Sequence, residues 1–203
     1  MVNYLKEAVT GQQPIIDFKP PEELTKLINF GIPPEAENDD KILEDIKKVL
    51  NLQVRCCHPH FHNQLFSGFN QYSLAGDMLT SSMNGTMYTY EMAPCFTMME
   101  NELFDVLRQN IGWEFVDGVL TPGGSFANFY AMVVARHHKF PEVKKKGLVA
   151  FPPMKVFSSE HSHYSMEKAA ITLGLGTDSV IKVPCTKNGE MIPEELEKLI
   201  KES

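Results

Sequence analysis

Three short stretches combine residue types that can do chemistry. In Thr121-Pro122-Gly123-Gly124-Ser125-Phe126-Ala127-Asn128 two glycines let the backbone turn tightly and approach a ligand without Cβ interference. Ser125 falls at the start of an expected helix, where its hydroxyl and unpaired N–H groups can hold a phosphate with help from the helix dipole. The stretch is neither G-x-G-x-x-G nor a P-loop, so nucleotide fingerprints do not apply. The plain alternative is a strand-to-helix turn with a serine N-cap. In Ser158-Ser159-Glu160-His161-Ser162-His163-Tyr164-Ser165 two histidines follow an expected strand and open a helix. Ligands of open α/β sheets gather at the carboxyl ends of strands, and a histidine there can stack on a planar ring, shuttle a proton or bind metal. Cap and loop roles for His161 and His163 are the alternative.

The third stretch is His58-Pro59-His60-Phe61-His62-Asn63-Gln64. An extended chain would place its three histidines on one face, as zinc ligands require. No spaced cysteine or carboxylate partner declares itself, and Pro59 marks a loop. A structural loop is therefore favoured and no metal site is expected. Ser125 beside Gly124 suggests a hydrolase nucleophile, yet Gly123-Gly124-Ser125-Phe126-Ala127 is not G-x-S-x-G and no base is evident.

The elements that must position these groups follow from periodicity. Helical stripes recur over Pro21–Phe30 and Asp39–Leu52, with Leu24, Leu27, Ile42, Leu43, Ile46 and Val49 turned to one side. Residues 1–54 are too few to own a core, which predicts a lid, or an arm laid on a partner subunit. From residue 55 to 203 the pattern is that of a larger domain. Helices are expected at Tyr72–Met83, Pro94–Ile111 (ended by Gly112), Phe126–Phe140, Ser165–Leu173 (ended by Gly174) and Pro193–Lys201. Strands are expected at Val116–Thr121, Lys155–Ser159 and Val180–Pro184. Strand, glycine turn, helix, strand, helix, strand predicts an α/β fold with a parallel sheet. About three strands are fewer than the usual 4–6, so the sheet is expected to be incomplete and the chain to be the N-terminal part of a larger protein.

Composition narrows the function classes. The chain has 203 residues, 43% hydrophobic and 22% charged, which excludes a disordered or collagen-like polymer. A net charge of −7 without a basic run argues against nucleic acid as a partner. No apolar run approaches a membrane span, and no signal-peptide core is visible in the first 30 residues. The four cysteines (Cys56, Cys57, Cys95 and Cys185) lack zinc-type spacing, and adjacent Cys56 and Cys57 are a poor disulfide pair. A cytoplasmic setting is expected. The 11 methionines are most simply core packing.

Taken in order, six motifs resemble the pyridoxal-phosphate-dependent group II amino-acid decarboxylases. They are His58-Pro59-His60-Phe61-His62-Asn63-Gln64-Leu65-Phe66-Ser67-Gly68, Tyr88-Thr89-Tyr90-Glu91-Met92-Ala93-Pro94, Pro122–Asn128, Ser159–Ser165, Gly174–Val180 and Met191–Leu196. Within that family the chain is most similar to the acidic branch of glutamate and cysteine sulfinate decarboxylases. The resemblance implies the aspartate-aminotransferase-like fold type I, a cofactor of pyridoxal 5'-phosphate, an acidic amino-acid substrate that loses CO2, and a homodimer with shared active sites. It implies that Gly124 and Ser125 cradle the phosphate with Asn128 supporting their turn. It also implies that His163 stacks on the pyridine ring, and that Gln64 contacts the substrate carboxylate beside Leu65 and Phe66. Tyr88 and Tyr90 would line the pocket, from the neighbouring subunit.

The aromatic Phe66 leans towards an acid shorter than glutamate, whereas the Glu160-His161-Ser162-His163 spelling is glutamate-decarboxylase-like. The two cues conflict. The resemblance further implies a Schiff-base lysine in an Asn-Pro-His-Lys-like stretch, and no lysine here follows one; Lys155 and Lys168 are better read as surface residues. The expectation is an N-terminal portion that is inactive alone. The alternative is a non-catalytic short isoform that dimerises with, and modulates, a full-length subunit.

Overall fold

The computed structural model describes residues 2–203 apart from 64, 66, 67, 115 and 116. The chain divides into two compact units, Met1–Met99 and Glu100–Ser203. The arm expected at residues 1–54 lies wholly within the first.

The first unit holds helices α1 (Val2–Thr10), α2 (Pro21–Leu27), α3 (Asp39–Leu52), α4 (Gln71–Met83) and the beginning of α5 (Pro94–Ile111). Helix α1 was not expected from the pattern. It ends at Gly11, whose φ of +68° suits glycine and whose missing side chain admits Pro59 and His58. Arg55 pins the incoming chain here. Its N–H donates to Ile15 O at 2.8 Å, its guanidinium donates to Pro14 O at 2.9 Å, and it lies 6.0 Å from the centre of the Tyr4 ring. Helix α3 starts where the sequence says it should, because Asn38 caps it by accepting the Lys41 N–H at 2.9 Å. Asp39 and Asp40 in the first turn interact favourably with the positive end of the helix dipole.

The second unit completes α5 and adds α6 (Gly124–Lys139), α7 (Val143–Lys146), β1 (Val156–Ser159), α8 (Ser165–Thr172), β2 (Val180–Val183) and α9 (Pro193–Glu202). Short 3-10 turns at Leu148–Ala150 and Thr177–Ser179 lead towards the strands. Strands β1 and β2 pair in parallel, Val156 opposite Val180 and Ser159 opposite Val183, with α8 as the crossover. The core lies between α6, α8 and this ribbon: Met132, Ala169, Ala170, Leu173 and Val180 are buried together, and Phe129, Val133, Val156 and Leu175 pack against them. Two adjacent alanines on α8 let the helices approach closely.

Among the described residues the sheet has two strands, and the strand expected at Val116–Thr121 is not formed over residues 117–121. Val116 lies outside the described residues. The Gly118 N–H is taken by Asp117 Oδ1 at 2.9 Å, a local bond that competes with ladder pairing. Helices α3 and α5 have the expected bounds, and the other expected elements differ by at most three residues at either end. No helix among the described residues is long and apolar enough to cross a membrane.

Candidate functional site

The glycine turn and the histidine segment fall in the second unit, and hydrogen bonds connect them. Gly123 is the N-cap of α6, with φ 122° and ψ 161°, so the helix opens at Gly124 rather than at Phe126. Ser125 is its second residue and makes no capping bond, which corrects the serine N-cap alternative. Gly123 O accepts the N–H groups of Phe126 and Ala127, each at 3.1 Å, and the Thr121 hydroxyl at 3.2 Å. The N–H groups of Gly124 and Ser125 precede the first intrahelical bond and point out of the helix start. Cβ atoms added at Gly123 or Gly124 would meet nothing within 4 Å, so the turn opens on unobstructed space. Bare N–H groups, a hydroxyl without a hydrogen bond among the described residues and a positive dipole end suit a phosphate dianion. The basic residues of α6 lie at its other end, in Arg136, His137, His138 and Lys139.

His163 lies beyond the carboxyl end of β1, exposed, with its ring centre 4.1 Å from that of Tyr164 and tilted by 35°. Its Nδ1 accepts the backbone N–H of Ser165 at 3.2 Å. Asn128, one turn into α6, donates from its amide to Ser165 Oγ at 2.8 Å. The amide expected to support the glycine turn is thus bonded to the histidine segment. Sequence reading had no means of finding this link, since residues 37 apart show no mutual periodicity.

The strand ends are tied by a second set of bonds. Ser159 Oγ and Cys185 Sγ are 3.1 Å apart, the His161 N–H donates to Ser159 Oγ at 3.1 Å, and the Cys185 N–H donates to a Glu160 carboxylate oxygen at 2.7 Å. Glu160, His161 and Cys185 thereby bring three potential metal-ligating atoms within 4.8 Å of one another. Lys182 Nζ, facing α8 from β2, pairs with Glu167 at 3.0 Å. Ser158 Oγ is buried at the end of β1 with no hydrogen-bond partner among the described residues.

The other expected site residues lie elsewhere. Gln64 and Phe66 fall outside the described residues. Leu65, Tyr88 and Tyr90 belong to the first unit and are exposed, Leu65 at 79% and Tyr88 at 81%. His58 is buried and uses Nδ1 to accept the His60 N–H at 3.0 Å, a local structural bond. Lys155 and Lys168 are exposed; the Lys168 ammonium sits 4.4 Å over the Tyr164 ring. Among ionisable groups, burial pushes the Tyr4 phenol and the Cys57 thiol up from their ordinary values.

Comparison with known proteins gives these features a context. The model of the pyridoxal-dependent decarboxylase conserved domain matches residues 21–203. The chain is 43% identical over 196 residues to the cysteine sulfinic acid decarboxylase of Rattus norvegicus, covering 97% of this chain and 40% of that protein. It is 40% identical over 203 residues to the glutamate decarboxylase of Drosophila melanogaster, covering all of this chain and 40% of that one. The crystal structure of mouse cysteine sulfinic acid decarboxylase superposes with a TM-score of 0.90 at 42% identity, over 98% of this chain and 45% of that one. The chain spans about two fifths of the length of the curated relatives it matches.

Proposed function

The chain belongs to the pyridoxal-dependent decarboxylase family, and from that premise we propose that it is part of an enzyme that removes CO2 from an acidic amino acid, cysteine sulfinate or glutamate. The observation that carries this is the bonded pair of elements in the second unit: an open glycine turn at the start of α6, and an exposed flat imidazole held on the end of β1. Pyridoxal phosphate, when bound, supplies the electron sink for the pair left behind as a carboxylate departs.

In this assignment the N–H groups of Gly124 and Ser125, with the Ser125 hydroxyl, hold the phosphate. His163 presents its ring face to the pyridine, backed by Tyr164 at 4.1 Å. Gln64 donates to the substrate carboxylate, Leu65 and Phe66 wall the side-chain pocket, and Tyr88 and Tyr90 serve the site of a neighbouring subunit in a homodimer. The relatives' names support an acidic substrate, and Phe66 favours the shorter acid. No lysine of this chain is assigned the covalent role: Lys155 donates to Asp178 O at 3.4 Å, and Lys168 caps Tyr164. A cytoplasmic setting suits the four free cysteines.

The test is an absorbance titration of the purified chain with pyridoxal phosphate, followed by borohydride reduction and mass analysis. Binding that inorganic phosphate competes away, with no lysine trapped, is expected. A covalent adduct on one lysine would overturn the assignment of the anchor to another part of the protein. Absence of any binding would overturn the cofactor site. Release of CO2 from cysteine sulfinate and from glutamate by a full-length protein carrying this sequence then separates the two substrates.

A further inference from the structure

Helix α8 begins with a buried serine that is bonded in two directions. Ser165 is only 2% exposed. As the first residue of the helix its N–H has no intrahelical acceptor, and an orphaned donor in a buried position needs a partner. His163 Nδ1 supplies it at 3.2 Å. Ser165 Oγ meanwhile accepts from Asn128 on α6 at 2.8 Å. Asn128 follows Gly124 by one helical turn, so it is rigidly connected to the glycine turn through the α6 backbone.

We propose that Ser165 is a positioning residue that locks the ring-stacking histidine to the phosphate-holding helix, through its N–H to His163 and its hydroxyl to Asn128. This rests on the assignment of the glycine turn and His163 to the cofactor. Two consequences follow from the bond directions. Because Nδ1 accepts, a neutral imidazole carries its proton on Nε2, and the bond favours the ring orientation that turns Nδ1 to the Ser165 N–H. Because α6 and the histidine segment are bonded to each other, the phosphate grip and the ring face are held at a fixed separation before any ligand arrives. Such preorganisation lowers what binding must spend on ordering loops. Ser165 itself is assigned no contact with the cofactor; it acts through His163 and Asn128.

Four variants of the full chain, Ser165→Ala, Asn128→Ala, the double Ser165→Ala/Asn128→Ala and Ser165→Thr, test the proposal, with His163→Ala as the reference for stacking. Each is titrated with pyridoxal phosphate by absorbance and by the visible circular dichroism that an asymmetric site induces in the bound cofactor. The Ser165→Ala variant is expected to raise the dissociation constant about five- to tenfold, the effect of one buried hydrogen bond, and to weaken the induced signal. The Asn128→Ala variant should match it, the double variant should be no worse than either, and Ser165→Thr, which keeps the hydroxyl, should recover most of the affinity. A Ser165→Ala variant that melts earlier but binds with unchanged affinity and signal would overturn the proposal, leaving Ser165 a merely structural residue. So would additive effects in the double variant. If Ser165→Ala does not fold, Asn128→Ala and Ser165→Thr decide alone. Normal binding by the His163→Ala variant would instead overturn the stacking assignment, and this inference with it.

Discussion

Gly123 shows how far a single backbone angle can commit a residue. At φ 122° a side chain is strained whatever space surrounds it, and here that space is open. Gly123→Ala is therefore expected to cost about 1–3 kcal/mol of local strain, or to reshape the turn and move the N–H groups of Gly124 and Ser125. A cofactor titration should show affinity falling at least about tenfold, and unchanged affinity would remove the turn from the phosphate site. Phe66 carries a different kind of prediction, since it rests on the side chain's bulk alone. A pocket methylene is worth about 1–3 kcal/mol, so Phe66→Ser in a full-length protein should shift the ratio of kcat/KM towards glutamate about tenfold or more. Parallel CO2-release assays on glutamate and cysteine sulfinate check it.

At the scale of elements, α3 is an exposed helix steadied by its own charges. Hydrogen bonding to Lys48 holds the Glu44 carboxyl below its ordinary range, and hydrogen bonding to Lys41 does the same for Asp45. Hydrogen bonding to Glu44 raises the Lys48 ammonium. A carboxyl whose folded value is depressed stabilises the helix above its unfolded value and loses that contribution as pH falls through the folded one. The raised lysine acts in the opposite sense, fully below its unfolded value and lost as pH climbs. Amide exchange in α3 should therefore slow between about pH 5 and 10 and quicken below about pH 4. A profile flat through the acid range, after correction for intrinsic exchange, would show that the pairs contribute nothing. In the second unit, a Cβ at Gly118 would stand 2.8 Å from the Phe104 ring. Gly118→Ala is expected to lower the stability of that unit by about 1–3 kcal/mol, read from a denaturant midpoint.

For the whole molecule the most telling feature is apolar surface. Ile42, Leu43, Ile46 and Val49 of α3 are all exposed, and Ile32 is 96% exposed. Scattered apolar side chains are ordinary, but a full helical stripe without cover indicates a surface made for contact. The purified chain is expected to self-associate, eluting as a dimer or larger by light scattering, or to aggregate. A monodisperse monomer with a sharp cooperative melt would contradict this. It would overturn both the proposed arm at residues 1–54 and the proposed homodimer.

Local chemistry is why so much could be read from the chain without coordinates. Asn38 before two aspartates, Gly112 and Gly174 after apolar helices, and proline at the start of α9 act within a few residues of themselves, so α3, α5, α8 and α9 fall close to where their signals stand. The glycine turn and the histidine segment were visible for the same reason, as compact runs of residues with one chemistry each. Pairing between distant residues leaves no such trace. That Asn128 meets Ser165, that Cys185 closes on Glu160, and that residues 117–120 make no strand depend on which surfaces the folded chain brings together. The Asn128–Ser165 bond needs α6 set against α8, and buried Met132, Ala169 and Ala170 lie in the cluster that packs those helices together. The residue types able to do chemistry were therefore written in the sequence, whereas the bonds that hold His163 and α6 together were decided by tertiary packing.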